Sequence, residues 1–439
     1  MAWSSSAAGS PPPDRDAAAL LVATGLIVGL AFASITDRIV TRWVDRDVEL
    51  LHAVRDVAVD EFVGRVESRE LVDDALRGML EGLDRYSRFY ARTELAQLDR
   101  DTSGEFRGIG VVFRQPTERG QVLFAFPGSP AERSGIRVGD RLLEVGGRLV
   151  AAMEPGELQQ TIREARGGVL VVGVESLDGE LREASIPLEK LLDPTVRHER
   201  MIDPVRGIGY LAIVSFSHRT PEEFDRAMDE MKARGLRRLV VDLRANPGGI
   251  LDSAVSVANR FLSNGTIVQT RTRSEMEVRE AISTEARHVG MPLVLLVDGG
   301  SASASEVLAG ALQDHCAAVL VGQPTYGKGT VQTLRRLLDD RGVVKITTAV
   351  YHTPSDRSIE RWEEKTTGSG ITPDLWVEVG SQEGSSIHAF LNSYSPPEGA
   401  AETIRAWEEK EGVKLIEPPP EDAQLEAALG LFADAEGTH

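Results

Sequence analysis

The chain has 439 residues, a formal net charge of −19 and a sequence pI near 5.0. So acidic a surface keeps a protein in solution but disfavours nucleic acid, whose phosphates need a basic face, and it supplies no polybasic membrane patch. A hydrophobic content of 41% is enough for sizeable cores, in on the order of two to four domains, and the lone Cys316 excludes an intrachain disulfide while leaving the compartment open.

Residues 1–16 are rich in Ser, Pro and Ala and read as a disordered tail. From Ala17 to Thr36 there is no charge, and Arg15-Asp16 and Asp37-Arg38 bound the stretch. About twenty uncharged residues can cross a bilayer as one helix. A cleaved signal peptide is the rival, because Ala31-Phe32-Ala33 has the form of a cleavage site. Either way, the bulk of the chain is expected outside the cytoplasm. Residues 41–103 carry helical spacing, with Val44, Val48, Leu51, Val54, Ala58 and Phe62, then Leu71 to Leu83. This segment suits an arm for dimerisation or an ordinary packed subdomain. Leu83-Asp84-Arg85-Tyr86-Ser87 then breaks the period.

Residues 104–190 form a second unit. It opens with Gly108-Ile109-Gly110-Val111, a glycine-bearing loop that feeds a strand. Gly128-Ser129-Pro130-Ala131, Gly135-Ile136 and Gly139-Asp140 follow. A helix is expected over about 156–165, then a hairpin of 169–175 and 181–186 across Asp178-Gly179. The order and spacing of these pieces resemble a mainly-β PDZ domain. That resemblance implies that the N–H groups around Gly108, Ile109, Gly110 and Val111 receive a peptide's terminal carboxylate while the peptide adds as a strand.

Residues 191–380 alternate strand and helix, the mark of an α/β unit. Arg206–Ser215 reads as a strand, and Thr220-Pro221-Glu222-Glu223 as a capping box opening a helix that runs to about Arg234. A buried strand, Leu239–Leu243, leads into Arg244-Ala245-Asn246-Pro247-Gly248-Gly249. Paired glycines at a strand's carboxyl end let backbone N–H groups approach a ligand, as half an oxyanion hole, or simply make a tight turn.

The richest stretch lies between Met291 and Gln332. An apolar strand ends in Asp298-Gly299-Gly300, passes through Ser301-Ala302-Ser303-Ala304-Ser305-Glu306 and continues as a helix. A helix N-terminus stabilises an anion forming there, so Ser303 is a candidate nucleophile. Ser303 and Glu306 also spell a capping box, and on these residues alone the cap is the favoured reading, because caps are far commoner than nucleophiles. Tyr326-Gly327-Lys328-Gly329 nearly makes a phosphate-binding loop, but Gly329 stands where Ser or Thr is needed and a strand pattern follows, which disfavours nucleotide binding. No G-x-S-x-G or H-E-x-x-H occurs, and the eight histidines are scattered, so no metal and no cofactor is expected.

Taken together, Leu83-Asp84…Tyr86-Ser87, the PDZ-like segment, Asp242 to Gly249, Gly300 to Glu306, Tyr326 to Gln332 and Gly370-Ile371-Thr372-Pro373-Asp374 resemble the C-terminal processing peptidases (tail-specific proteases) in that family's order, over roughly residues 70–380. The resemblance implies an α/β protease core of crotonase or Clp-protease type with an inserted PDZ domain. It places the nucleophile on Ser303, the general base on Lys328, 25 positions later, and an orienting glutamine on Gln332. The oxyanion donors fall on the N–H of Ala304 and of Gly248 or Gly249. The implied activity is cleavage of proteins at or near accessible C-termini.

This chemistry needs a neutral lysine, whose pKa must fall from its usual ~10.4; burial away from carboxylates does that. Gln332 can hold the amine without adding charge. In a straight strand residues four apart stand ~13 Å apart, so contact between Lys328 and Gln332 requires a bend at Gly329 or a helical segment. Departures from the family pattern are Arg85, Asp298-Gly299 in place of an Asn-containing pair, and a charged insert at 360–367. Residues 381–439 are acidic with a helical pattern over Ala423–Phe432, expected to pack or to join copies of the chain. The rival reading is a catalytically silent, membrane-anchored PDZ scaffold that binds protein tails; it has no use for Ser303, Lys328 and Gln332 together.

Overall fold

The computed structural model describes residues 46–95, 105–114, 120–154, 156–165, 168–337, 341–361, 370–412, 414–416 and 418–434. The uncharged stretch 17–36 and most of the insert at 360–367 lie outside them. No helix among the described residues is long and apolar enough to cross a membrane. Contacts divide the chain into two units, up to Phe89 and from Tyr90 onward.

The first unit contains helices α1 (46–61) and α2 (Ser68–Glu81). Val48, Leu51, Val54 and Phe62 are exposed. After α2 the Asp84 carboxylate accepts from the N–H of Tyr86 and Ser87, both at 2.7 Å, and so closes the turn that breaks the helical period.

The second unit begins with a small mainly-β module. Its strands are β1 (Glu105–Gly108), β2 (Val111–Phe113), β3 (Val122–Ala125), β4 (Arg141–Val145), β5 (Arg148–Leu149), β6 (Val169–Glu175), β7 (Leu181–Pro187) and β8 (Glu189–Leu192). Helix α3 (Pro130–Arg133) lies between β3 and β4, and α4 (Glu157–Glu164) between β5 and β6. Alternation along β6 turns Leu170, Val172 and Val174 inward onto Ile109, Phe113, Leu142, Val145, Leu158 and Ile186, a core of the module's own. Among the described residues β2 pairs only with β3, so its other edge is open.

The larger body is built on a six-stranded sheet. Its strands are β9 (Val196–Asp203), β10 (Ile208–Ile213), β11 (Arg238–Asp242), β14 (Leu293–Val297), β15 (Val319–Gly322) and β18 (Leu375–Trp376), in that spatial order; β9 and β10 run antiparallel and the remaining pairs parallel. Strands β12 (Thr266–Thr272), β13 (Met276–Glu280), β16 (Thr330–Arg336) and β17 (Gly342–His352) join in a separate antiparallel sheet. Helices α5 (Thr220–Ala233), α6 (Leu251–Asn259) and α7 (Ala304–Asp314) cover one face of the six-stranded sheet. The C-terminal segment supplies α8 (Ser381–Asn392), α9 (Glu398–Glu411) and α10 (Ala423–Asp434). Ile387 and Leu391 of α8 and Ala428 and Phe432 of α10 cover the sheet's other face. Because both faces are covered, β14 is an unbroken apolar run and β11 is apolar between Arg238 and Asp242: Leu239, Val241, Leu293 and Leu295 point to one core, and Val240, Val294 and Leu296 to the other.

The start of α5 departs from the sequence pattern. Helix α5 includes Thr220, and Arg219 stands at its N-cap. The Glu223 carboxylate accepts from Thr195 N and Thr195 Oγ1, both at 2.8 Å, and Thr220 Oγ1 accepts from Ser217 N. The anticipated capping box is therefore spent on fastening the helix to the segment entering β9.

Candidate active site

Strand β14 ends at Val297, and a tight loop turns the chain into α7. Ser301 Oγ donates to Leu243 O at 2.7 Å and accepts from Asp298 N at 3.0 Å, which pins the loop to the end of β11. Ser303 then adopts φ 57° and ψ −113°, a left-handed backbone that costs a non-glycine residue about 1–3 kcal/mol and persists only where the surroundings impose it. Ser303 is half-buried, while Ala302, Ala304 and Ser305 are buried. Its hydroxyl makes no capping hydrogen bond to the helix. What remains of the capping box is its other half: Glu306 Oε2 accepts from Ser303 N at 2.8 Å.

Glu306 is fully buried and does more than its sequence spacing announced. Its Oε1 accepts from Thr325 Oγ1 and from Gly327 N, both at 2.6 Å, and its Oε2 also accepts from Lys328 N at 2.8 Å. Burial raises the Glu306 carboxyl pKa, and these donors pull against it. One side chain thus fastens the backbone of Ser303 to the backbone of Lys328. Thr325 Oγ1 accepts in turn from Ile371 N at 2.7 Å, which gives the Gly370-Ile371 piece its place. Lys328 is half-buried and sits in the loop before β16.

The loop after β11 closes over the same point. Asn246 O accepts from Ala302 N at 2.9 Å and from Ser305 Oγ at 3.1 Å. A Cβ on Gly248 would lie 2.7 Å from Ala302 O, 2.8 Å from Ser303 Cβ and 3.0 Å from Ala304 N, so only glycine allows this approach. The two glycines differ. Gly248 N donates to Asn246 Oδ1 at 2.8 Å, whereas Gly249 N donates to no carbonyl or side chain among the described residues. Ala304 N, at the first turn of α7, likewise has no partner of that kind.

Gln332 lies on β16, two residues into the strand. Its Nε2 donates to Thr330 Oγ1 at 2.9 Å and to Thr347 Oγ1 at 3.5 Å. Between it and Lys328, Gly329 N donates to the buried Glu360 carboxylate at 2.8 Å, and the β16–β17 register shifts between Val331 and Gln332.

In the small module Gly110 has φ +78°, and a Cβ there would lie 2.5 Å from Ser129 Cβ. The carbonyls of Ile109 and Gly110 accept from Ala131 N and Phe126 N, while their own amides donate to no carbonyl among the described residues. Gly108 pairs with Glu189 in the β1–β8 ladder, and Val111 opens β2 opposite Ala125. The loop borders a cavity of about 800 Å³ that Arg197, His198, Arg200 and Tyr394 of the larger body also line.

Comparison with known proteins now decides the family. The model for Peptidase family S41 matches residues 207–377, and a PDZ-domain model matches residues 126–176. Over 385 residues the chain is 30% identical to a carboxy-terminal-processing protease of Bartonella bacilliformis, with 85% of each chain covered. The chain belongs to the carboxy-terminal-processing proteases of peptidase family S41. It is also 31% identical over 345 residues to the carboxy-terminal processing protease CtpA of Bacillus subtilis, covering 76% of this chain and 70% of that one. A solved photosystem II D1 C-terminal processing protease is 28% identical, with a TM-score of 0.46 over 74% of this chain and 86% of that one. This S41 peptidase therefore combines a mixed α/β protease body with a PDZ domain, and it is a serine-type enzyme.

Proposed function

We propose that this S41 peptidase is a serine endopeptidase that cleaves exported proteins at or near their C-termini, with Ser303 as nucleophile and Lys328 as general base. The observation that carries the reading is the pair of amides held by one Glu306 oxygen, beside a serine whose hydroxyl is not spent on capping. Neutral Lys328 takes the proton as Ser303 Oγ bonds to the scissile carbonyl carbon. The oxyanion that forms is held by the N–H of Ala304, at the positive end of α7, and of Gly249, whose amide is uncommitted where that of Gly248 is not. When the C–N bond breaks, the Lys328 ammonium gives its proton to the leaving amine. It then takes one from the water that hydrolyses the acyl-enzyme. Gln332 orients the lysine amine without adding negative charge.

The open edge of β2 and the amides of the 108–111 loop support capture of a substrate tail by strand addition, with its carboxylate on the loop. The uncharged stretch 17–36 supports a membrane-anchored enzyme with its catalytic part outside the cytoplasm, and the exposed apolar residues of α1 suit a homo-oligomer. The element order supports a protease core of crotonase or Clp-protease type. The test of the site is Ser303→Ala with an unfolded protein as substrate. Loss of cleavage at an unchanged melting temperature is expected. Retained cleavage with a stability loss of about 1 kcal/mol would return Ser303 to the role of a helix cap.

A further inference from the structure

The C-terminal segment reaches the catalytic loops at one buried point. Arg244 begins the loop that carries Gly248 and Gly249, and its side chain is 2% exposed. Asp242 holds it from within the motif: Arg244 Nε donates to Asp242 Oδ1 at 3.0 Å and Nη2 to Asp242 Oδ2 at 2.5 Å. The other side of the guanidinium is taken by residues far along the chain. Nη1 donates to Asp422 Oδ1 at 2.9 Å and to Gln424 Oε1 at 3.0 Å, and Nη2 donates to Asp422 Oδ2 at 2.6 Å. The Asp422 contacts are bidentate and nearly dry, with the Asp422 side chain 10% exposed. Burial opposes the charge on Arg244, but Asp242 and Asp422 outweigh it and hold its pKa well above the usual range.

The next residue explains why the loop needs a second anchor. Ala245 has φ +55°, a conformation that costs a non-glycine residue free energy and survives only under constraint. Its N–H is held by Asp298 Oδ1 at 3.0 Å on one side, and the pinned Arg244 holds it on the other. Asn246, one residue on, carries the bonds to Ala302 and Ser305 that set Ser303 against the glycines.

We propose that Asp422 is a positioning residue for catalysis. Acting through Arg244, it holds the 244–249 loop in its strained form, so that the C-terminal segment completes the active site as well as covering the sheet. The proposal rests on the reading of Ser303 as nucleophile and of this loop as an oxyanion donor. It predicts that Asp422→Ala removes two of the three bonds on the outer side of the guanidinium, leaves Gln424 alone there, lets Ala245 relax and moves the donor amide away from the transition state. A misplacement of this kind costs rate and not substrate affinity.

The experiment measures kcat and KM for wild type, Asp422→Ala, Asp422→Asn and Phe432→Ala on a fluorogenic peptide with a free C-terminal carboxylate, well below each melting point. Phe432 is buried under the same sheet, about two turns of α10 beyond Gln424, and makes no hydrogen bond or ion pair to Arg244, so its variant reports destabilisation of the segment alone. Expected is a fall in kcat of about tenfold or more for Asp422→Ala with KM within about twofold, a smaller fall for Asp422→Asn, and wild-type kcat for Phe432→Ala. Binding of a peptide boronate that mimics the oxyanion should weaken by the same factor as kcat. Equal kcat in Asp422→Ala and Phe432→Ala would overturn the proposal and leave Asp422 a structural anchor. Activity that survives Ser303→Ala would instead overturn the reading beneath it.

Discussion

Ser303 and Lys328 are joined through a single atom: Glu306 Oε2 accepts from the main-chain N–H of both, at 2.8 Å each. The side chain that closes the first turn of α7 therefore also sets the loop that carries the lysine. The carboxylate is buried, and it is stable there because both oxygens are satisfied by two donors each.

Glu306→Gln tests that relationship. A glutamine amide accepts at one end only, and its NH2 would face two N–H donors. The expected result is a stability loss of about 1–3 kcal/mol and a kcat lowered about tenfold or more at little-changed KM. Urea unfolding and steady-state kinetics on the same preparation check both. Unchanged kcat would mean that the shared oxygen does not set the reacting groups.

Gly248→Ala places a methyl 2.7 Å from Ala302 O and 2.8 Å from Ser303 Cβ, and the φ of +101° adds strain. The nucleophile loop must move, so kcat/KM should fall about 100-fold. A crystal structure of the variant should show the 301–304 loop displaced. Full activity with an unmoved loop would contradict the close approach.

Gln332→Glu replaces a neutral amide by a carboxylate near the lysine loop. A negative neighbour favours the ammonium form, so the alkaline-rising limb of kcat/KM should shift upward by about one pH unit or more. A superimposable profile would remove Gln332 from the environment of the base.

Acid sensitivity has identifiable sources. Burial first, then Arg200, pushes the His198 pKa down to about 4; burial first, then Lys232, does the same to His288, also to about 4. Both start from an ordinary 6.5, so the unfolded chain binds more protons between pH 6.5 and 4. Their contribution to stability is present above pH 6.5 and is lost as pH falls through that window. His288 packs against Phe224 and Phe261 with neither ring nitrogen hydrogen-bonded, so His288→Phe should fold. Relative to wild type the variant should gain stability on acidification, by at most about 1.4 kcal/mol per pH unit. A gap between the two melting curves that does not change with pH would contradict the assignment.

Much of this site is legible locally because local physics writes it. The glycine-terminated strand, the S-x-x-E at Ser303 and Glu306, and the paired glycines after β11 each specify a turn or a helix start, and each turn or helix start is found there. The Thr220 box misled because a tertiary partner, Thr195, competes for the same Glu223 carboxylate. Glu306's grip on Thr325, Gly327 and Lys328, and Asp422's grip on Arg244 from 178 positions away, leave no periodic or capping signal in the sequence, since they exist only once the chain is folded. The preference of Gln332 for Thr330 and Thr347 was hidden for the same reason.

The proposed mechanism requires an uncharged Lys328 to activate Ser303. The most direct test is the rate of Ser303 labelling by a peptidyl phosphonate as a function of pH, in wild type and in Lys328→Met, with the modified residue identified by mass spectrometry. The account predicts labelling confined to Ser303, rising through one ionisation below the usual ~10.4 of lysine, and lost in Lys328→Met. Labelling of Ser301 or Ser305 instead, or a pH profile that Lys328→Met leaves in place, would contradict it.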